Sequence, residues 1–120
     1  MTSPSPESAL RRYRACLQQL RSCLGGEAMV SAWQELNNFF QQQLWPLLIQ
    51  RSEQADSAWQ AMTTELHRHM RLLGLEIQRG MAARQLPSRQ QRQEQIEQRL
   101  VQLEQFSQGL MQLLVEPRTD

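Results

Sequence analysis

Apolar residues recur every three or four positions along most of the chain, which is the spacing of amphipathic α-helices. The first stripe runs through Leu10, Tyr13, Leu17, Leu20 and Leu24. Before it, Ser5-Pro6-Glu7 supplies a capping serine, a proline at the first helical position and an acid near the positive end of the helix. Gly25-Gly26 predicts the end of this helix, because glycine is common just beyond the last helical residue.

The second segment has a proline inside an otherwise helical pattern. Its apolar positions are Val30, Trp33, Leu36, Phe39, Phe40, Leu44, Leu47 and Leu48. Pro46 lacks an N–H, and its ring clashes with the carbonyl four residues earlier. Two possibilities stay open: the helix kinks at Pro46, or it ends near Gln43 and a short turn continues to Arg51.

The longest stripe belongs to the third segment and predicts a helix from Ser52, a capping residue, to about Gln85. Its apolar positions are Ala55, Trp59, Met62, Leu66, Met70, Leu73 and Ile77. Gly74 and Gly80 lie inside this helix, where each costs up to about 1 kcal/mol relative to alanine. They indicate the close approach of another helix, or a bend.

The fourth helix is predicted to begin at Ser88, because Leu86-Pro87 ends the third and Gln91 completes a capping box. Its stripe runs through Ile96, Leu100, Leu103, Leu110 and Leu114, and Glu116-Pro117 closes it. The first part, from Arg89 to Gln95, has no apolar residue, so it is either solvated or in polar contact with a partner.

These elements predict an all-α protein, an antiparallel bundle of about four helices in which helices three and four form a long hairpin. We expect a single domain over residues 1–120, with a disordered tail at 1–5 and a C-terminal tail at 116–120. A two-helix hairpin that buries its open face in a homodimer is the alternative.

Composition agrees with a helical protein and disfavours several other classes. There are 20 glutamines, 13 arginines and no lysine, and no apolar run reaches 18 residues. Without a signal-like N-terminus, the expected location is cytoplasmic and no membrane partner is expected. Cys16 and Cys23 are seven residues apart, roughly 10 Å along a helix, which is too far for a disulfide. They are predicted to be half-buried core residues, with an intermolecular disulfide as the lesser alternative.

The polar residues do not form the patterns that catalysis or metal binding requires. His67 and His69 point about 200° apart on a helix and cannot share a metal ion. Glu65 is two residues from His67, whereas di-iron bundles need a spacing of three. Gly25-Gly26 lacks the lysine and hydroxyl residue of a phosphate-binding loop. The sequence therefore predicts no enzyme activity, no cofactor and no metal site.

Charge is segregated along the chain although the formal net charge is +1. Residues 66–92 contain six arginines against Glu76, whereas residues 25–65 and 93–120 are acidic. The candidate partner-binding residues are Arg68, Arg71, Arg79, Arg84, Arg89 and Arg92. This stretch is either a solvated surface paired with acidic helices or a docking surface for an acidic protein. Nucleic acid is an unlikely partner, because the pI is near 7.9 and the chain has a single tyrosine.

Several short motifs resemble those of the PatD family, small cyanobacterial regulators that limit heterocyst frequency. The motifs are Phe39-Phe40-Gln41-Gln42-Gln43-Leu44-Trp45-Pro46-Leu47, Thr64-Glu65, Arg71-Leu72-Leu73, Ala83-Arg84-Gln85 and Arg99-Leu100 with Leu103. The likeness extends from about Tyr13 to Leu114, and the polar tract from Pro87 to Gln95 departs from the family. It implies a cytoplasmic regulator that contacts the cell-division protein FtsZ and modulates its assembly, with no catalytic residues.

The sequence thus favours a non-enzymatic, PatD-like regulator that acts by protein–protein contact, with FtsZ as the suspected partner and self-association as an expectation. Two alternatives stay open. One is a helical nucleic-acid-binding protein that uses the arginine-rich stretch at 68–92. The other is a structural coiled-coil oligomer.

Overall fold

In a computed structural model that describes residues 5–52, 56–82 and 86–115, helices account for nearly all of the described residues. They are α1 (Pro6–Ser22), α2 (Met29–Phe39), a π-helical turn (Phe40–Leu44), α3 (Trp45–Ser52), α4 (Ser57–Ala82) and α5 (Leu86–Val115). Since α2, the π turn and α3 follow one another without a break, they count as one rod. The prediction of an all-α bundle of about four helices is confirmed.

Helix α1 begins as its sequence predicts. The hydroxyl of Ser5 accepts the backbone N–H of Ser8 at 3.1 Å, and Pro6 occupies the first helical position. The end comes earlier than expected. Cys23 is already the C-cap, its N–H bonded to the carbonyl of Leu20. Gly25, two residues further on, adopts a φ of +79°, the left-handed conformation that glycine accepts without strain.

Pro46 neither stops the second rod nor leaves it purely α-helical. The π turn directly precedes it, and the N–H of Trp45 reaches back five residues to the carbonyl of Phe40. Because Pro46 has no backbone N–H, one carbonyl of the preceding turn has no helical donor. Gln41 and Gln42 of that turn are exposed, so water can donate to this carbonyl instead. Of the two possibilities left open, a helix that ends near Gln43 is wrong. The second helix instead continues through Pro46, and it contains a wider π-helical turn just before the proline.

Helix α4 begins at Ser57, not at Ser52, which is the last residue of α3. The N-cap is Asp56, whose carboxylate accepts the N–H of Trp59 at 3.1 Å. The Trp59 indole donates to the carbonyl of Leu48 at 3.2 Å, and the Arg51 guanidinium lies 5.0 Å from its ring centre. These contacts fasten α3 to α4 at the turn.

Helix α5 begins at Leu86, two residues before the predicted Ser88. Pro87 is its second residue, a position where a missing N–H costs nothing because the first N–H groups of a helix have no intrahelical partner. Helix α4 is described to Ala82, and its predicted end at about Gln85 lies outside the described residues. The expected C-terminal tail at 116–120, with Glu116-Pro117, lies outside the described residues, as do residues 1–4 of the expected tail at 1–5. Ser5, the last residue of that expected tail, is instead the N-cap of α1.

The four rods enclose one core. Helices α4 and α5 pack along each other as the predicted hairpin, α1 packs against α2 and α5, and α4 closes the bundle against α2 and α3. Fully buried side chains come from every rod: Leu10, Tyr13, Leu17, Leu20, Leu36, Phe40, Leu44, Leu48, Leu66, Leu73, Leu100, Leu103 and Leu110. The bundle is elongated and flat, with extents of 55 × 31 × 19 Å. No helix within the described ranges is apolar enough over sufficient length to cross a membrane.

Gly74 marks the close approach of another helix. A Cβ placed there would lie 3.0 Å from the Trp33 ring, so a larger residue would push α2 away from α4. Trp33 and Trp45 are half-buried at the edge of the core, whereas Trp59 lies inside it. The three tryptophans thus form one central contact and two peripheral ones.

Candidate protein-interaction surface

The six arginines predicted to bind a partner occupy three different environments. Arg68, Arg71 and Arg79 are exposed on α4. Arg92 is half-buried on α5, and Arg89 is exposed near the start of the same helix. Arg84 lies outside the described residues. The structure therefore does not gather the predicted set into one patch, but divides it between α4 and the α4–α5 seam.

The three α4 arginines share their side of the helix with leucines. We define the outer α4 surface as Arg68, Arg71, Leu72, Leu75 and Arg79. Its spacing of three, four, seven and eleven residues from Arg68 places these side chains on one helical face, turned away from the buried stripe. Leu75 keeps 47% of its surface exposed, and it and Ile49 are the two large hydrophobic residues exposed in the described chain.

The positive charge of this surface is largely unneutralised. Arg68 lies 3.4 Å from Glu65, but both side chains are mostly in water, where such a pair contributes at most about 1 kcal/mol. Over the described part of the chain, Arg71 and Arg79 form no ion pair. By contrast, Arg11 pairs with Glu7 on α1. The outer α4 surface therefore offers both charge and apolar area to a partner.

A polar cleft lies beside this surface, between α4 and α5. We call it the α4–α5 cleft, and its volume is about 290 Å³. The described residues that line it are Glu76, Arg79, Arg92, Gln95, Gln98, Arg99 and Gln102. Arg79 and Arg92, two of the arginines predicted to bind a partner, thus line the same site. A third arginine, Arg99, was not among the predicted residues and lines it as well.

That third residue, Arg99, is the centre of an ionic network across the hairpin. Its guanidinium donates to both carboxylate oxygens of Glu76, at 2.8 and 3.2 Å. It also contacts Nδ1 of His69 at 2.6 Å and donates to Oε1 of the Gln102 side chain at 3.0 Å. The two-pronged contact with Glu76 uses the planar fork of arginine and fixes its orientation.

The antiparallel hairpin contains the signal that could have revealed this network. Glu76 lies eleven residues before Pro87 and Arg99 twelve after it, so the two meet when the helices fold back on each other. The same relation joins His69, eighteen residues before Pro87, to Phe106, nineteen after it, with ring centres 5.0 Å apart. Summing charge along the chain concealed the pairing, because it assigned Glu76 and Arg99 to different segments.

The contact with Arg99 also fixes the protonation state of His69. Arginine can only donate, so Nδ1 of His69 must accept, and the ring is neutral with its proton on Nε2. Nε2 lies 3.4 Å from Glu65, which can accept that proton in a hydrogen bond. Burial, followed by the positive charge of Arg99, lowers the pKa of His69 below its ordinary value.

The other titratable residues singled out in the sequence face different elements. His67 stacks on Trp45, with ring centres 4.5 Å apart, so the two histidines diverge as predicted and cannot share an ion. Cys16 and Cys23 are both free and half-buried, as expected from their spacing. Burial raises the pKa of the Cys16 thiol, which keeps it protonated and weakly nucleophilic near neutral pH.

Comparisons with known proteins identify no relative: no family model, no curated protein and no solved structure matches the chain. The resemblance to PatD and the link to FtsZ therefore stay predictions.

Proposed function

We propose that this protein is a non-enzymatic regulator that binds an acidic partner protein through the outer α4 surface. The observation that carries the proposal is the exposure of Leu75 among three arginines on one helical face. An apolar side chain left in water gains free energy when a partner covers it, and the surrounding arginines select a partner with carboxylates.

The chemistry of the surface supports an acidic protein more than nucleic acid. Arginine forks pair with carboxylates and their stems pack on apolar groups, while leucines supply contact area that a phosphate backbone would not use. The regular spacing along α4 matches an extended helical contact, in which side chains three, four and seven residues apart face the partner together.

FtsZ is the partner to be tried first, because the resemblance to PatD implies it. On that proposal the protein acts in the cytoplasm, modulates FtsZ assembly and, in a filamentous host, influences heterocyst differentiation. The charge and leucine pattern of α4 supports docking of an acidic protein.

The first test uses two matched pairs of variants in a sedimentation assay of FtsZ polymers. Leu75→Ser removes the exposed leucine, and Ile49→Ser removes a hydrophobic residue of nearly equal exposure on α3, 45% against 47%. Arg71→Glu reverses a charge on the outer α4 surface, and Arg11→Glu does so on α1. We expect the α4 variants to weaken the effect on sedimentation about tenfold, since each loses an apolar or charged contact of roughly 1.5 to 3 kcal/mol.

The controls determine the interpretation. Ile49→Ser and Arg11→Glu should act like the wild-type protein. If all four variants change sedimentation equally, or if wild-type protein leaves it unchanged, docking of FtsZ on α4 is wrong. Binding to duplex DNA that falls steeply with salt and is lost in Arg71→Glu would instead favour the nucleic-acid alternative.

A further inference from the structure

Three arginines line the α4–α5 cleft, and of these Arg79 alone also belongs to the outer α4 surface. Arg92 and Arg99 come from α5 and Arg79 from the edge of α4. Among the described residues that line the cleft, Glu76 is the one carboxylate, and it is already bonded to Arg99. The cleft therefore carries a net charge of +2 when its lining residues are ionised.

Two of the three arginines of the cleft, Arg92 and Arg99, have hydrogen-bond partners before any ligand arrives. Arg99 is fixed by Glu76 and by the Gln102 carbonyl oxygen. Arg92 is half-buried and donates to Oε1 of the Gln95 side chain at 3.2 Å. Because both glutamines use their oxygen on an arginine, their amide N–H groups remain to donate. Arg79 has no ion pair within the described residues and is available for a ligand.

We propose that the α4–α5 cleft is a binding site for a doubly charged oxyanion, of which a phosphoryl group is the leading class. A dianion would neutralise the net charge of the lining residues, whereas a single carboxylate would leave one charge uncompensated. Fixed guanidinium and amide N–H donors match the several acceptor oxygens of phosphate. The volume of about 290 Å³ accommodates a small ion or the phosphorylated end of a larger molecule.

Calorimetric titration of the full chain with inorganic phosphate tests the site directly. Sulfate and acetate are titrated in parallel, with ionic strength held constant by sodium chloride. We expect saturable binding of phosphate and sulfate with one site per chain, and much weaker binding of acetate. Phosphoserine provides a further arm: tighter binding than inorganic phosphate indicates a phosphorylated molecule as the source, and equal or weaker binding indicates the free ion.

Two variants and a control locate the site. Arg92→Gln and Arg79→Gln should each weaken phosphate binding about tenfold or more, because each removes a charge-assisted hydrogen bond to the anion. Arg21→Gln is the control. Arg21 lies on α1 and pairs at 3.2 Å with Glu97, on the side of α5 opposite the cleft, so this variant loses one positive charge but should bind phosphate like the wild type. Circular dichroism verifies that each variant is folded, and the exposed Arg79 is the substitution least able to disturb the fold.

Failure would be unambiguous. Heats that do not saturate, or equal binding by Arg79→Gln, Arg21→Gln and the wild-type protein, would show a general ionic effect and overturn the proposal. The outcome is also separable from that of the proposed function. Leu75→Ser should leave phosphate binding unchanged, and Arg92→Gln should leave binding of a partner on the outer α4 surface unchanged.

Discussion

Arg99 illustrates how a single side chain controls its neighbours. With its guanidinium held by Glu76, its contact to Nδ1 forces His69 to stay neutral. Protonation of His69 would place a second donor against the arginine in a partly buried position. The charged groups that face this ring are Glu65, Arg68 and Arg99, and burial followed by the charge of Arg99 lowers the pKa of His69. The folded protein therefore resists protonation of His69, and acid that forces it disrupts this contact.

We expect the free energy of unfolding to fall as the pH falls below about 6.5. The pKa of His69 is lowered in the folded protein, so the unfolded chain binds more protons and stability is lost as pH descends through the folded pKa. Urea unfolding at a series of pH values measures this. His69→Gln, which can accept from Arg99 and donate to Glu65, should flatten the dependence between neutral pH and the onset of carboxylate titration. An unchanged profile in that variant would contradict the assignment.

Interpretation of the sequence identified the apolar residues better than the charged ones. Tyr13, Leu66 and Leu73 were expected in the core and are fully buried, because burial follows helical periodicity. Ionic contacts depend on which helices become neighbours, and periodicity does not contain that information. Glu76 and Arg99 become partners through the hairpin alone, and Leu72 and Leu75 acquire significance because α4 leaves that face uncovered.

At the scale of the helices, the π turn keeps the second rod facing the core. Leu36, Phe40, Leu44 and Leu48 are spaced by four residues and are all fully buried. In an ideal α-helix each step of four drifts by about 40°, so the last of them would rotate away from the core. A turn with i to i+5 hydrogen bonds takes more residues per revolution and reverses the drift where Phe40 leads to Leu44. Prediction from the spacing of apolar residues assumes a constant 3.6 residues per turn, so it could not predict the π turn.

Replacement of Pro46 tests the cost of this arrangement. Pro46→Ala restores an N–H and removes the clash with the preceding turn, so we expect a gain in the free energy of unfolding of about 1 to 2 kcal/mol after the higher entropy of the unfolded chain is subtracted. Chemical denaturation measures it. Pro6→Ala is the matched control, because Pro6 starts α1 without strain and its replacement should bring no gain. A loss of stability in Pro46→Ala would mean that proline itself maintains the turn.

At the scale of the whole molecule, the core is closed within one chain. All four rods contribute fully buried side chains, so folding needs no second copy to cover an open hairpin. The number of rods and their hairpin order could be predicted, because the stripes and the breaks near Gly25 and Pro87 are local signals. The predicted helix ends were less accurate: α4 is capped by Asp56 and not by Ser52, and α5 begins at Leu86 and not at Ser88.

This closure predicts that the unfolding midpoint does not depend on protein concentration. Tryptophan fluorescence suits the measurement, because Trp59 is buried and loses its contact with Leu48 on unfolding. We expect the same urea midpoint over a hundredfold range of concentration, since folding coupled to dimerisation would raise it with concentration. A midpoint that rises would support the obligate dimer instead.

The position of Arg79 has a consequence for regulation. Its guanidinium borders both the outer α4 surface and the α4–α5 cleft, so an oxyanion in the cleft and a carboxylate of a partner compete for the same side chain. Thermodynamic linkage makes such antagonism reciprocal: the factor by which the anion weakens the partner is the factor by which the partner expels the anion. One arginine would thereby make assembly with another protein sensitive to the phosphate content of its surroundings.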